Sequence, residues 1–160
     1  MSVNVRPARP GDEGEILRLI RALAAYERMP DAVQATEESL GASLFGRGPH
    51  VWVHLAEQNG RAVGVALWFL TFSTWTGRPT LYLEDLFMEE EARGAGAGLA
   101  LFRALGAEAK ARGCGRMDWA VLDWNDTAKG FYRRMGAAPT SGWEVWRLEG
   151  DALERLAAGG

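Results

Sequence analysis

Apolar and polar positions follow two periods along the chain, and each change of period marks an element. Val3 to Arg6 reads as a short strand closed by Pro7. Gly11 and Asp12 then start a helix, with Asp12 at the N-cap and Glu13 and Glu15 in the first turn. Ile16, Leu19, Ile20 and Leu23 recur at helical spacing as its buried stripe, and Pro30 ends it. Thr36-Glu37-Glu38 caps a second helix that carries Leu40, Leu44 and Phe45 toward Gly46. The period then drops to two. Val51, Val53 and Leu55 alternate with Trp52 and His54, Asn59-Gly60 supplies a hairpin turn, and Val63 to Phe72 returns as a nearly continuous apolar strand. Gly77 and Pro79 bound a loop before a strand from Thr80 to Met88. Leu99, Phe102, Arg103 and Leu105 to Ala109 follow as a helix ending near Gly113, and Arg116 to Leu122 reads as another strand. Asn125-Asp126-Thr127 opens a helix through Phe131 and Tyr132 to Gly136, Trp143 to Leu148 alternates as a last strand, and a short helix starts at Asp151. The alternation of strands and helices predicts one α/β domain over residues 1–160, with no repeat, linker or low-complexity tract.

Two carboxylates break the apolar pattern of the central strand. Tyr82-Leu83-Glu84-Asp85-Leu86-Phe87-Met88 places Glu84 and Asp85 among residues that would otherwise bury, and an unpaired buried charge is costly. After a short acidic turn comes Arg93-Gly94-Ala95-Gly96-Ala97-Gly98. The Gly-x4-Gly-Lys-Ser/Thr phosphate loop is excluded, because no lysine lies between Phe87 and Lys110. A dinucleotide fingerprint would need its third glycine where Leu99 stands. What remains is strand, acidic turn, Arg-Gly-x-Gly-x-Gly and helix, whose first amides and dipole suit a diphosphate; a merely flexible turn is the alternative reading. A second constellation, Trp124-Asn125 with Phe131-Tyr132-Arg133-Arg134-Met135-Gly136, presents a tyrosine hydroxyl as a candidate proton donor, or as a packing residue.

Composition narrows the partners. The 160 residues are 48% hydrophobic with a net charge of -3 and no run of Lys and Arg, which argues against a nucleic-acid binder and for a cationic partner. One cysteine, Cys114, excludes an internal disulfide, and with His50 and His54 it leaves no zinc-ligand set, so no metal is expected. The N-terminus lacks an apolar signal core, and the apolar stretch Ala62 to Leu70 is far short of the roughly 20 residues a spanning helix needs. The expectation is a cytoplasmic protein that does not engage a membrane.

Arg93-x-x-Gly96-x-Gly98 after a strand, with Trp124-Asn125 and Phe131-Tyr132-x-x-x-Gly136, resembles the GCN5-related N-acetyltransferase superfamily. Tyr82-Leu83-Glu84-Asp85, Leu17-Arg18-Leu19-Ile20 with Ala25-Tyr26-Glu27, Trp75-Thr76-Gly77-Arg78 and Glu144-Val145-Trp146-Arg147-Leu148 look like the diamine (spermidine/spermine) acetyltransferases and their thialysine-using relatives. The likeness runs from about Val3 to Gly150. It departs at a tighter Gln58 to Arg61 hairpin, at Ala95 and Ala97 in place of bulkier residues, and in a C-terminal tail without the family's lysines.

The resemblance implies a mixed, mostly antiparallel sheet of six to seven strands flanked by helices on both faces. It implies direct transfer of acetyl from acetyl-CoA to a primary amine of a small cationic substrate. Such an amine is almost wholly ammonium at neutral pH and must lose a proton before attack. Glu84 is the expected base, with a pKa raised by its apolar strand, and Asp85 is the expected structural partner on the opposite face. Amides around Leu86, Phe87 and Met88 would hold the cofactor arm and the oxyanion. Tyr132 would protonate the leaving thiolate and Asn125 would bind the arm. Arg93, Gly94, Ala95, Gly96, Ala97, Gly98 and Leu99 would bind the pyrophosphate, with Lys129 and Arg133 or Arg134 near the nucleotide phosphate. Tyr26, Glu27, Trp75, Glu84, Asp118 and Glu144 would meet the amine. Each of the acceptor positions also has an ordinary reading: Glu84 could pair with Arg93 or Arg116, and Asp118 with Arg116. A homodimer with the final strand near the contact is expected. The rival functions are acetyl transfer to thialysine, an aminoglycoside or a protein N-terminus, and a non-catalytic acyl-CoA sensor.

Overall fold

The alternating segments come together as a single five-stranded sheet, ordered β1-β2-β3-β4-β5, in the computed structural model, which describes residues 2–160. β1 (Asn4–Pro7), β2 (Trp52–Gln58), β3 (Arg61–Ser73) and β4 (Arg78–Met88) are successive antiparallel neighbours, and β5 (Arg116–Trp119) joins β4 in parallel. Asn59 and Gly60, at φ 54° and 76°, make the two-residue turn between β2 and β3, whose hand matches the twist of the strands.

Two helical layers cover this sheet. α1 (Glu13–Tyr26) and α2 (Glu37–Phe45) bury Ile16, Leu19, Leu23, Leu40 and Leu44 against Val53, Leu55, Val65 and Phe87. Thr36 and Ser39 form a reciprocal capping box at the start of α2. Asp12 precedes α1 but its carboxylate is turned to Arg6, 2.7 Å away, so an ion pair replaces the expected cap. α3 (Ala97–Ala111) covers the other face through Leu101, Phe102 and Leu105, with Phe102 edge-on to Trp119 at 5.1 Å.

Contacts divide the chain after Leu122. The second unit, Asp123–Gly160, holds α4 (Asp126–Arg134) and α5 (Gly150–Ala157).

Five strands, not six to seven, are present among the described residues. No strand forms over Trp143 to Leu148, where Trp143, Val145 and Trp146 are 82%, 97% and 87% exposed. Alternation gives a segment two distinct faces, but only a ladder with a neighbour makes it a strand. β5 is also shorter than expected, ending at Trp119 and not at Leu122.

Candidate active site

β3 and β4 lose register at one point, and the acids sit there. Leu67 pairs with Asp85 while the next residue, Trp68, pairs with Leu83, so Glu84 is an extra residue bulged out of β4. Residues directly opposite on a ladder share a face. Asp85 therefore lies with Leu67 and Phe87 on the face covered by α1, and Leu83 lies with Trp68 on the α3 face. Without the bulge Leu83 and Asp85 would share one face.

This geometry reverses the expected characters of the two acids. Glu84 is exposed, so the apolar burial expected for it is absent. Asp85 is the more buried carboxyl and forms no ion pair among the described residues. Burial, then the charges of Glu84 and Glu27, push Asp85 up to about 6. Glu27, the residue capping the C-terminal end of α1, is likewise raised by burial.

Other groups gather on the α1 face. Tyr82 pairs with Phe69 on one side, their rings 5.2 Å apart, and stands opposite Asp118 on the other. Burial first, then Glu84 and Asp118, raises the Tyr82 hydroxyl. Asp118 also pairs with Arg116 at 3.4 Å, the ordinary partner open to it from sequence. Arg93, the other cation considered for Glu84, turns elsewhere: its Nε donates to the Met88 carbonyl at 3.0 Å and its guanidinium lies 4.9 Å from the Tyr26 ring. The face thus assembles Tyr26, Glu27, Tyr82, Asp85 and Asp118. Trp75 does not join them; it is 87% exposed in the β3–β4 connection.

On its far side β4 has an open edge. It pairs with β5 only from Thr80 to Leu83, and among the described residues no strand continues the ladder beyond Leu83 and Trp119. The Glu89 amide donates to the Val63 carbonyl at 2.8 Å, so by antiparallel alternation the amides of Leu86 and Met88 face away from β3. They are available to an extended arm carrying its own amides.

The glycine loop leads from this edge into α3. Gly94 and Gly96 have φ 80° and 84°, and Gly96 is the N-cap. A Cβ at either would meet nothing within 4 Å, so backbone conformation and not crowding within the chain calls for glycine. The first bond into the helix is Ala100 to the Gly96 carbonyl, leaving the amides of Ala97, Gly98 and Leu99 without helical acceptors. These amides and the helix dipole fit a diphosphate, as the open β4 edge fits an amide-bearing arm. The loop's base is tied down by Glu89, which binds Arg18 of α1 and, at 2.6 Å, Arg61 of the hairpin. Burial would raise the Glu89 carboxyl, but these two guanidinium groups outweigh it and hold it low. Nothing in the local pattern around Glu89 signals this clamp.

In the second unit, the Asn125 side chain caps α4 by accepting from the Ala128 amide at 3.2 Å. Lys129 Nζ donates to the Asp123 carbonyl. Tyr132 lies on α4 beside Phe131, ring centroids 5.8 Å apart, and Arg133 and Arg134 occupy the last turn. Glu144 lies in the exposed segment after α4. Among the described residues no group of three or more His, Cys, Asp or Glu could hold a metal ion, and no helix is long and apolar enough to cross a membrane.

Known proteins resemble this chain over nearly its whole length. The model of the acetyltransferase (GNAT) family matches residues 15–137. The chain is 40% identical over 167 residues to the thialysine N-epsilon-acetyltransferase of Sus scrofa, covering 98% of each. It is 36% identical over 151 residues to the spermidine/spermine N(1)-acetyltransferase-like protein 1 of Homo sapiens, covering 90% of this chain and 22% of that protein. Among solved structures, an integron cassette protein from the mobile metagenome of V. cholerae superimposes with a TM-score of 0.81 at 30% identity, covering 98% of each chain.

Proposed function

Because the chain belongs to the acetyltransferase (GNAT) family and is an N-acetyltransferase acting on amines, we propose that its acceptor is a small polycationic amine, a diamine or polyamine, acetylated directly from acetyl-CoA. The observation that carries this reading is the α1 face of the sheet, where Glu27, Asp85 and Asp118 gather with two tyrosines beside the bulged Glu84. A dication would offset both the burial that chiefly raises Asp85 and the repulsion from Glu84 and Glu27 that adds to it.

Each residue then has a task. The amides of Ala97, Gly98 and Leu99, at the end of the Arg93 to Gly96 turn, hold the pyrophosphate, and Lys129 and Arg133 serve the nucleotide phosphate. The Leu86 and Met88 amides hold the pantetheine arm and draw charge onto the thioester oxygen, with Phe87 securing the strand from the core side. Glu84, exposed on its bulge, takes the ammonium proton through water, and Asp85 and Glu27 hold the cationic amine against it. As the new N–C bond forms and the C–S bond breaks, Tyr132 would give its proton to the thiolate sulfur and regain one, through water, from the second proton that the amine nitrogen sheds. The roles of Tyr132, Asn125, Trp75 and Glu144 rest on the motif resemblance.

One catalytic domain spanning both units, acting as a homodimer in the cytoplasm, completes the proposal. The exposed row Trp143, Val145 and Trp146 supports a subunit contact, since isolated chains seldom leave such residues in water. A second reading, transfer to thialysine, is favoured by the full-length similarity to the Sus scrofa enzyme. Thiol release from acetyl-CoA against spermidine, spermine, putrescine, thialysine, lysine and an aminoglycoside separates these readings. Highest kcat/KM with a carboxylate-free diamine or polyamine supports the first, preference for thialysine the second, and no release with any amine rejects both.

A further inference from the structure

Behind the bulge, on the α3 face, four side chains close a ring that the transfer reaction does not use. Trp68, 1% exposed, donates from Nε1 to His54 Nδ1 at 3.1 Å, and His54 is itself buried. Trp68 also stacks on Trp52, centroids 5.0 Å apart, and Arg112, the residue capping the C-terminal end of α3, lies 4.7 Å over Trp52 and 5.0 Å over Trp68. Arg112 Nε donates to Glu108 Oε2 at 3.1 Å, and Glu108 Oε1 stands 3.8 Å from His54 Nε2. The ring lines a cavity of about 250 Å³ between these residues and Phe45.

The indole N–H can only donate, so His54 Nδ1 must accept and the imidazole must be neutral with its proton on Nε2. Burial favours this neutral form, Glu108 opposes it and Arg112 supports it. Trp68 is also the β3 residue that pairs with Leu83, the last β4 residue before the extra Glu84. If the bulge moved one residue toward Leu83, Glu84 would stand opposite Trp68 in the buried layer, at the cost of an unpaired charge. Where Trp68 is held thus decides where the bulge is held.

We propose that His54 and Trp68 are positioning residues for the acceptor site: their hydrogen bond pins the strand against which the bulge is registered, and so places Glu84 and Asp85. This rests on the transfer reaction proposed above only for its kinetic consequence.

The test compares His54→Leu, which removes the acceptor and orphans a buried N–H, with His54→Asn, whose Oδ1 stands where Nδ1 stood. Both are assayed at a temperature where circular dichroism shows them folded. His54→Leu should lower kcat about tenfold or more with the KM for acetyl-CoA unchanged, the scale expected for a misplaced catalytic group. Amide hydrogen exchange should quicken at Glu84 and Asp85 more than elsewhere in β4, and His54→Asn should restore both readouts to within about threefold of wild type. Equal losses in the two variants, an unchanged kcat in folded His54→Leu, or faster exchange spread evenly along β4 would overturn the proposal. Were the wild type to acetylate no amine, the functional reading would fall, and the exchange pattern alone would still decide the role of the pair.

Discussion

Replacing Asp85 by Asn should make the protein more stable while making it a worse enzyme. Its carboxyl, ordinarily near 3.8, is pushed up to about 6 by burial and by Glu84 and Glu27. That difference corresponds to about 3 kcal/mol held against the ionised folded state at neutral pH. The folded protein binds this proton more tightly than the unfolded chain does. The favourable contribution is therefore complete below 3.8 and is lost as pH rises through 6. Asparagine has nearly the same shape and no charge to bury. Urea denaturation of the two proteins from pH 4 to 8 should show near-equal stability at the acid end. The variant should gain up to about 3 kcal/mol by pH 8, or about 6 to 12 °C in Tm for a domain of this size. The KM for the amine should rise at the same time, because in the proposed function the carboxylate that strains the fold also holds the cation. A variant no more stable than wild type at pH 8, or a difference that does not grow between pH 4 and 7, would refute the reasoning.

Tyr132→Phe should lower kcat about a hundredfold with little change in acetyl-CoA binding, and equal kcat in steady-state assays would remove Tyr132 from the mechanism. Glu89→Ala should cost about 1 to 3 kcal/mol and raise the KM for acetyl-CoA, since Arg18 and Arg61 lose the carboxylate that ties the loop. Because Glu89 is held low, its contribution should fade as pH falls through its depressed pKa, and the variant should lack that slope in acid denaturation. Gly96→Val forces a branched side chain to φ 84°, which should cost about 1 to 3 kcal/mol and weaken coenzyme A binding by calorimetry at least tenfold.

Features written locally were legible in the sequence. Asn59-Gly60 requires positive φ at two adjacent residues, and Thr36 caps α2 as read, with the reciprocal bond from Ser39 added by the structure. The place of the glycine loop at the head of α3 was also readable, because alternating glycines before an apolar helical stripe mark a turn into a helix. The division between Glu84 and Asp85 was not. It depends on the register of β4 against β3, and a bulge leaves no mark in the residues that form it. Alternation through Leu83, Glu84 and Asp85 presumes a regular ladder, and an apolar strand by itself predicts burial for Glu84; the bulge exposes Glu84 and leaves Asp85 the more buried acid. The segment Trp143 to Leu148 failed for a related reason: its pattern is local, but a strand needs a partner elsewhere.

The sheet does not count Glu84. Leu83 and Asp85 would meet Trp68 and Leu67 in the same register if the residue between them were deleted, and every side chain of the two core layers would keep its face. The packing of the two layers is therefore indifferent to the presence of this residue, whose charge reaches the fold through Asp85 and Tyr82. On the proposed function, substitution there alters the acceptor site and the charge felt by Asp85 and Tyr82 while the core packing stays as it is. One scaffold could thus be retuned from one amine to another at a single position. A chain lacking Glu84 should fold as well as this one, and what it could no longer do would measure what the extra residue is for.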